Sequence, residues 1–146
     1  MTEHYIEDKW RMPIQNMEVG DCITTKQRTI TRTDVELGAL LGGDYAAQFL
    51  SRGAAQAGGW KDQLLPGVCM LNIAYGLLIQ AGFLADVVAY MGTDRLRFLA
   101  PVYSGDAIRM EAEVASKKKT EKGWVCEYDW KVLNQHDVVV ANGHNI

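Results

Sequence analysis

The chain has 146 residues, with 15 Lys or Arg, 18 Asp or Glu, and a net charge of −3. That length makes one domain with a sizeable core, and charges of both signs mixed along the chain exclude a basic nucleic-acid surface. Three cysteines, Cys22, Cys69 and Cys126, lie far apart with no zinc or redox spacing, so reduced thiols in a cytoplasmic protein are expected.

The start carries no basic-then-apolar pattern, so no secretory leader is expected. Residues 1–16 read as an N-terminal arm bearing Tyr5 and Trp10, and residues 17–146 as a single domain. Met17 to Asp21 is a turn, and Cys22 to Ile30 alternates as a strand. Thr31 or Thr33 then caps a short helix over Val35 to Leu41, with Asp34 and Glu36 in its first turn. Gly42, Gly43 and Asp44 end it; Tyr45 to Ala57 is helical, and Gly58 to Leu65 is a loop.

The stretch Gly67 to Gly82 organises the rest. Pro66 stands before it and Gly82 closes it, giving a helix about 24 Å long. Its apolar residues occupy two faces, Val68, Leu71, Tyr75 and Leu78 on one and Met70, Ala74, Leu77 and Ala81 on the other. A helix apolar nearly all round is expected to be buried on most sides, with Asn72 needing a partner inside. It is too short and too interrupted to span a membrane.

Everything downstream reads as strand. Asp86 to Gly92 and Arg95 to Leu99 come first, then a turn over Pro101 to Asp106. Ile108, Met110, Ala112 and Val114 alternate against Arg109, Glu111 and Glu113. Lys117 to Gly123 reads as an exposed basic loop. Trp124, Cys126, Tyr128, Trp130 and Val132 then alternate against Glu127, Asp129 and Lys131, with the aromatics in packing positions. A turn over Asn134 to Asp137 leads to a last strand, Val138 to Ala141, with His144 beyond it in solvent. Such a sheet, polar on one face, needs cover only on the other, and a single long helix supplies it. The expected fold is α+β, an antiparallel sheet wrapped around a central helix in the hotdog arrangement. Its open edges predict at least a dimer.

Several segments in fixed order are similar to the MaoC-like dehydratase family, the (R)-specific enoyl-CoA hydratases. They are Met17 to Asp21, Arg28 to Asp34, Leu41-Gly-Gly-Asp44, Pro66-Gly-Val68, and above all Leu96 to Asp106 with Ile108 to Val114. Together they cover residues 17–141. The resemblance implies a hotdog fold and hydration or dehydration of 2-enoyl and 3-hydroxyacyl thioesters of CoA or acyl-carrier protein, with no metal or redox cofactor. In the family, a Gly-Asp-x-Asn-Pro-x-His motif activates a water, and a backbone N–H at the start of the central helix holds the thioester oxygen. Here Gly43-Asp44 matches the beginning of that motif, but Ala46, Ala47 and Phe49 stand at the Asn, Pro and His positions. The family's His-Gly before the helix is Pro66-Gly67.

The candidate catalytic groups are therefore the Asp44 carboxylate and the Gly67 N–H, with Tyr45, Gln48, Phe49 and Pro66 as pocket candidates. None of the three histidines, His4, His136 and His144, is near the motif in sequence. Three readings follow. One is a homo-oligomeric hydratase in which another group or a water replaces the imidazole. Another is a non-catalytic thioester-binding subunit paired with a His-containing paralogue. The third, a hotdog thioesterase, needs a carboxylate on or near the central helix; residues 67–82 hold none, and Asp62 lies outside them.

Overall fold

The computed structural model describes residues 12–146; the arm's Tyr5 and Trp10, and His4, lie outside the described residues. A six-stranded antiparallel sheet runs in the order β1-β4-β5-β6-β3, with β2 also on β4. The strands are β1 (Cys22–Thr24), β2 (Arg28–Thr29), β3 (Thr93–Phe98), β4 (Ala107–Thr120), β5 (Gly123–Asn134) and β6 (Val139–Asn145). The helices are α1 (Arg32–Gly42), α2 (Ala47–Leu50), α3 (Arg52–Ala57) and α4 (Gly67–Gln80). One face of the sheet carries Met110, Val114, Tyr128, Trp130 and Val132 into the core, where Met70, Ala74, Leu77 and Leu78 of α4 meet them. This is the α+β hotdog arrangement. The other face is charged, and Arg109 holds both Glu111 at 3.4 Å and Asp137 at 2.8 Å.

The helix starts follow their caps. Thr31 accepts from the Asp34 N–H at 3.1 Å while Asp34 accepts from the Thr31 N–H at 2.9 Å, a reciprocal capping box. Gly43 ends α1 in the left-handed region at φ 72°. The expected single helix over Tyr45–Ala57 is two short ones, because Ser51 takes extended backbone and caps α3 through the Ala54 N–H.

Other departures have similar local causes. The strand expected over Cys22–Ile30 breaks into β1 and β2 where Thr25 turns inward and its hydroxyl accepts from the Met110 N–H at 2.9 Å. Asp86–Gly92 forms no strand: Val88 is 98% exposed, and only Met91 and Gly92 reach a pairing partner, the backbone of Ile146. The basic loop expected from Lys117 is instead the end of β4, leaving Glu121 and Lys122 as the turn. There Lys117 donates to the carbonyls of Gln15 and Met17, and Lys117 and Lys119 stack over the Trp124 ring. β6 runs on past Ala141 to Asn145.

Helix α4 is not buried all round. The sheet covers one side, while Val68 is 71% exposed, Ile79 is exposed, and Asn72 stands on the open side rather than in the interior. No helix among the described residues is long and apolar enough to cross a membrane.

His144 is not solvated either. Its side chain is 11% exposed, with Nδ1 2.8 Å from Asp129 and Nε2 3.1 Å from Glu127 on β5. The hydrogen bond to Asp129 raises its pKa, Glu127 adds to that, and partial burial and Arg95 oppose it. A histidine with a raised folded pKa contributes stability below its unfolded value, near 6.5, and loses it as pH rises through the folded value. Urea titrations should therefore show wild type losing a stability increment across that rise that His144→Gln lacks. Identical pH slopes would refute the clasp.

Candidate active-site groove

The groove sits where the end of α1, the short helix α2 and the start of α4 converge on the chain that follows β3. Its volume is about 470 Å³, and Asp44, Gln48, Phe49, Pro66 and Gly67 all line it. Five residues singled out in the sequence thus come together, although 23 positions separate Asp44 from Gly67. Tyr45 does not join them; it is 64% exposed and points away from this lining.

Each element is placed for a reason. Asp44 follows the left-handed Gly43, and its N–H returns to the Ala39 carbonyl at 3.0 Å, which fixes the backbone while leaving the carboxylate exposed at the rim. Helix α2 is tied to the segment entering α4. Leu64 N–H donates to the Gln48 carbonyl at 3.2 Å, and buried Gln63 donates through Nε2 to the Phe49 carbonyl at 3.0 Å. Arg32 in turn donates to the side-chain Oε1 of Gln63. Leu65 N–H then pairs with Val102 at 2.9 Å, and buried Pro66 delivers the chain into Gly67.

Pro66 caps α4 without a side-chain hydrogen bond. The first-turn amides, which have no partner inside a helix, are left facing the groove with the positive end of the helix dipole. A small residue is needed at the first position. A Cβ on Gly67 would lie 2.7 Å from the ring of Phe98, which is half-exposed and lies against the helix start. Gly67→Ala is therefore expected to swing Phe98 toward the groove mouth. Stability should change by no more than ~1 kcal/mol, because alanine also favours the helix. A melting curve beside wild type checks this.

Trp60, Phe98 and the run Leu99–Val102 also line the groove and were not among the sequence candidates. Their signal lay in the Leu96–Asp106 stretch, which pointed to the family without indicating which residues face the groove. Asp62 is elsewhere: it accepts from its neighbour's N–H at 2.7 Å and pairs with Arg32 at 3.5 Å and Arg52 at 3.9 Å. Among the described residues no histidine lines the groove: His136 lies in an exposed turn and His144 pairs with Asp129 and Glu127 of β5. Among the described residues, no three metal-ligating side chains come together.

Residues 15–134 match the family described as the MaoC like domain. The chain belongs to the MaoC-like family. Klebsiella aerogenes Protein MaoC is 31% identical over 113 residues, 77% of this chain, but this MaoC-like chain spans only about a third (33%) of that protein. A solved structure titled as a monoamine oxidase regulatory protein from Archaeoglobus fulgius is 29% identical, with a TM-score of 0.83 over 92% of this chain and 91% of that one. The R-hydratase PhaJ1 from Pseudomonas aeruginosa, unliganded, is 26% identical, with a TM-score of 0.72 over 92% and 83% of the two chains. The hotdog fold and membership of the MaoC-like family are thus established together.

Proposed function

We propose that this MaoC-like chain adds water to a 2-enoyl thioester, or removes it from the 3-hydroxyacyl form, in the groove between Asp44 and the start of α4. The observation that carries this is the convergence of a solvent-facing carboxylate and an uncapped helix N-terminus on one groove of about 470 Å³. The thioester oxygen takes its hydrogen bond from the Gly67 N–H, where negative charge gathers as the reaction proceeds. Asp44 accepts a proton from water as the oxygen bonds to the β-carbon. The same proton then passes from Asp44 to the α-carbon, the enolate collapses, and the carboxylate is restored. Gln48, which lines the same groove as Asp44, holds the water in this scheme. The scheme balances with one acid/base group and requires no resident cofactor.

One observation favours a second reading. Phe49 stands where the family carries an imidazole, and Asp44 and Gln48 are the polar side chains among the lining residues. On this reading the chain binds the thioester and a His-containing partner supplies the chemistry. Either way an oligomer is expected, because β3 is an open sheet edge and Phe98, Leu99 and Val68 are exposed near it.

The test is hydration of crotonyl-CoA and longer 2-enoyl-CoAs by the purified protein, with acyl-CoA binding measured in parallel. Turnover supports the enzyme reading. Binding without turnover supports the binding subunit, and neither would sink both readings.

A further inference from the structure

A second cavity, of about 260 Å³, lies beside the C-terminal half of α4, against the 83–91 segment and β5. Leu78, Ile79, Phe83 and Met91 make its walls apolar, no side-chain charge lines it, and Tyr128 is set into it. At ~30 Å³ for each water-sized group it has room for about eight non-hydrogen atoms. Tyr75, also in the lining, is eight residues beyond Gly67 on the same helix, about 12 Å along its axis.

The hydrogen-bond inventory of Tyr128 gives this cavity a chemical preference. Asn145 is fully buried beside it. The indole Nε1 of Trp130 only donates, and it lies 2.7 Å from Asn145 Oδ1, which fixes the orientation of the amide. The Thr93 hydroxyl donates to the same oxygen at 2.6 Å. Asn145 Nδ2 must then donate to the Tyr128 oxygen, 2.9 Å away. The Tyr128 oxygen is an acceptor in that bond, so its own proton remains to be placed. Tyr128 is 8% exposed, and among the described residues its hydroxyl donates no hydrogen bond. Burial pushes the phenol up to about 12, so the proton stays on at physiological pH.

A plain alkyl group filling the cavity would strand this donor away from water, which is costly. A carboxylate would lose its hydration and meet no cation among the lining side chains. We propose that the cavity selects the far end of an acyl chain carrying a neutral acceptor, a keto, ether or ester oxygen, which takes the hydrogen bond of Tyr128. That the occupant is an acyl chain rests on the thioester reading above; its oxygen does not.

The test compares wild type with Tyr128→Phe, using 2-octanone against 2-methyl-1-octene, which has the same shape without the acceptor. Octanoyl-CoA against 7-oxooctanoyl-CoA forms a second pair. The expected result is a preference for the oxygen-bearing member of each pair that falls about fivefold in Tyr128→Phe, with no loss of affinity for the alkene. An equal preference in both proteins would mean that water or an internal group satisfies the phenol, and the proposal falls. It falls equally if neither octanone nor octene binds.

Should Tyr128→Phe not fold, the ¹³C-carbonyl shift of 2-octanone bound to wild type decides. A downfield displacement is expected, and a shift like that in alkane solvent overturns the proposal. Ketone preference without binding of any thioester would support the cavity chemistry and count against the thioester reading alone.

Discussion

Asp44→Asn is expected to lower kcat/KM for 2-enoyl-CoA hydration at least ~100-fold, in the range of a lost acid/base group. The amide keeps the shape of the side chain but cannot take the proton from water. Among the described residues lining the groove, Asp44 is the carboxylate and no imidazole stands beside it to compensate. Folding should not change. The side chain is exposed, and the backbone bond from Asp44 N–H to Ala39 survives the substitution. The comparison is steady-state kinetics beside thermal melting. Equal loss of kcat and kcat/KM with an unchanged melting midpoint marks a group that acts in the transition state. Full activity in Asp44→Asn would remove the carboxylate from the chemistry and turn attention to Gln48.

Asn145→Ala should be the most damaging single change to stability. Asn145 is fully buried and joins β6 to four neighbours: Trp130 and Tyr128 on β5, Thr93 on β3, and Tyr75 on α4. Truncation leaves the indole N–H and the Thr93 hydroxyl without their acceptor and opens a hole in the core. Two stranded donors together with the lost bonds cost ~3–5 kcal/mol, a large part of the 5–15 kcal/mol a domain of this kind possesses. Urea unfolding should show the midpoint falling by about 1 M or more. Trp130→Phe removes one donor together with its need for a partner, so it should cost clearly less. If the two variants lost equal stability, the indole would have mattered through packing rather than through its bond to Asn145.

The long strands and the central helix were legible because periodicity records burial directly. Alternation from Ile108 to Val114 and from Cys126 to Val132 matches the buried and charged faces of β4 and β5. The helix was legible in extent but not in environment. Val68 was read onto an apolar face yet points outward, because sequence gives hydrophobicity without saying whether this protomer or something else supplies the cover. Val87 and Val88 misled in the same way, since an apolar run has no strand to join once β3 occupies the edge of β6.

The groove was half legible. Asp44, Gln48, Phe49, Pro66 and Gly67 followed from motif order, whereas Trp60 and Phe98 did not, because their place depends on how the chain after β3 crosses the helix start. His144 looked like a tail residue. Its two carboxylate partners lie on another strand, and only the register of β5 with β6 brings them within reach.

The crossing of α1 over α4 bears on how much this groove tolerates change. A Cβ on Gly38 would fall 2.5 Å from Cys69 Sγ and 3.7 Å from the Pro66 ring, so the two helices touch with no side chain on one of them. Asp44 lies just past the end of α1, and Gly67 opens α4. The spacing of carboxylate and amide is therefore gauged by the bare backbone of α1 against the Cys69 side chain, six residues before Asp44 and two after Gly67. Bulk added at Gly38 or Cys69 would be read out in the groove as misalignment, so positions that never meet a ligand belong to its sequence constraints. Substitution libraries confined to the groove lining would miss them.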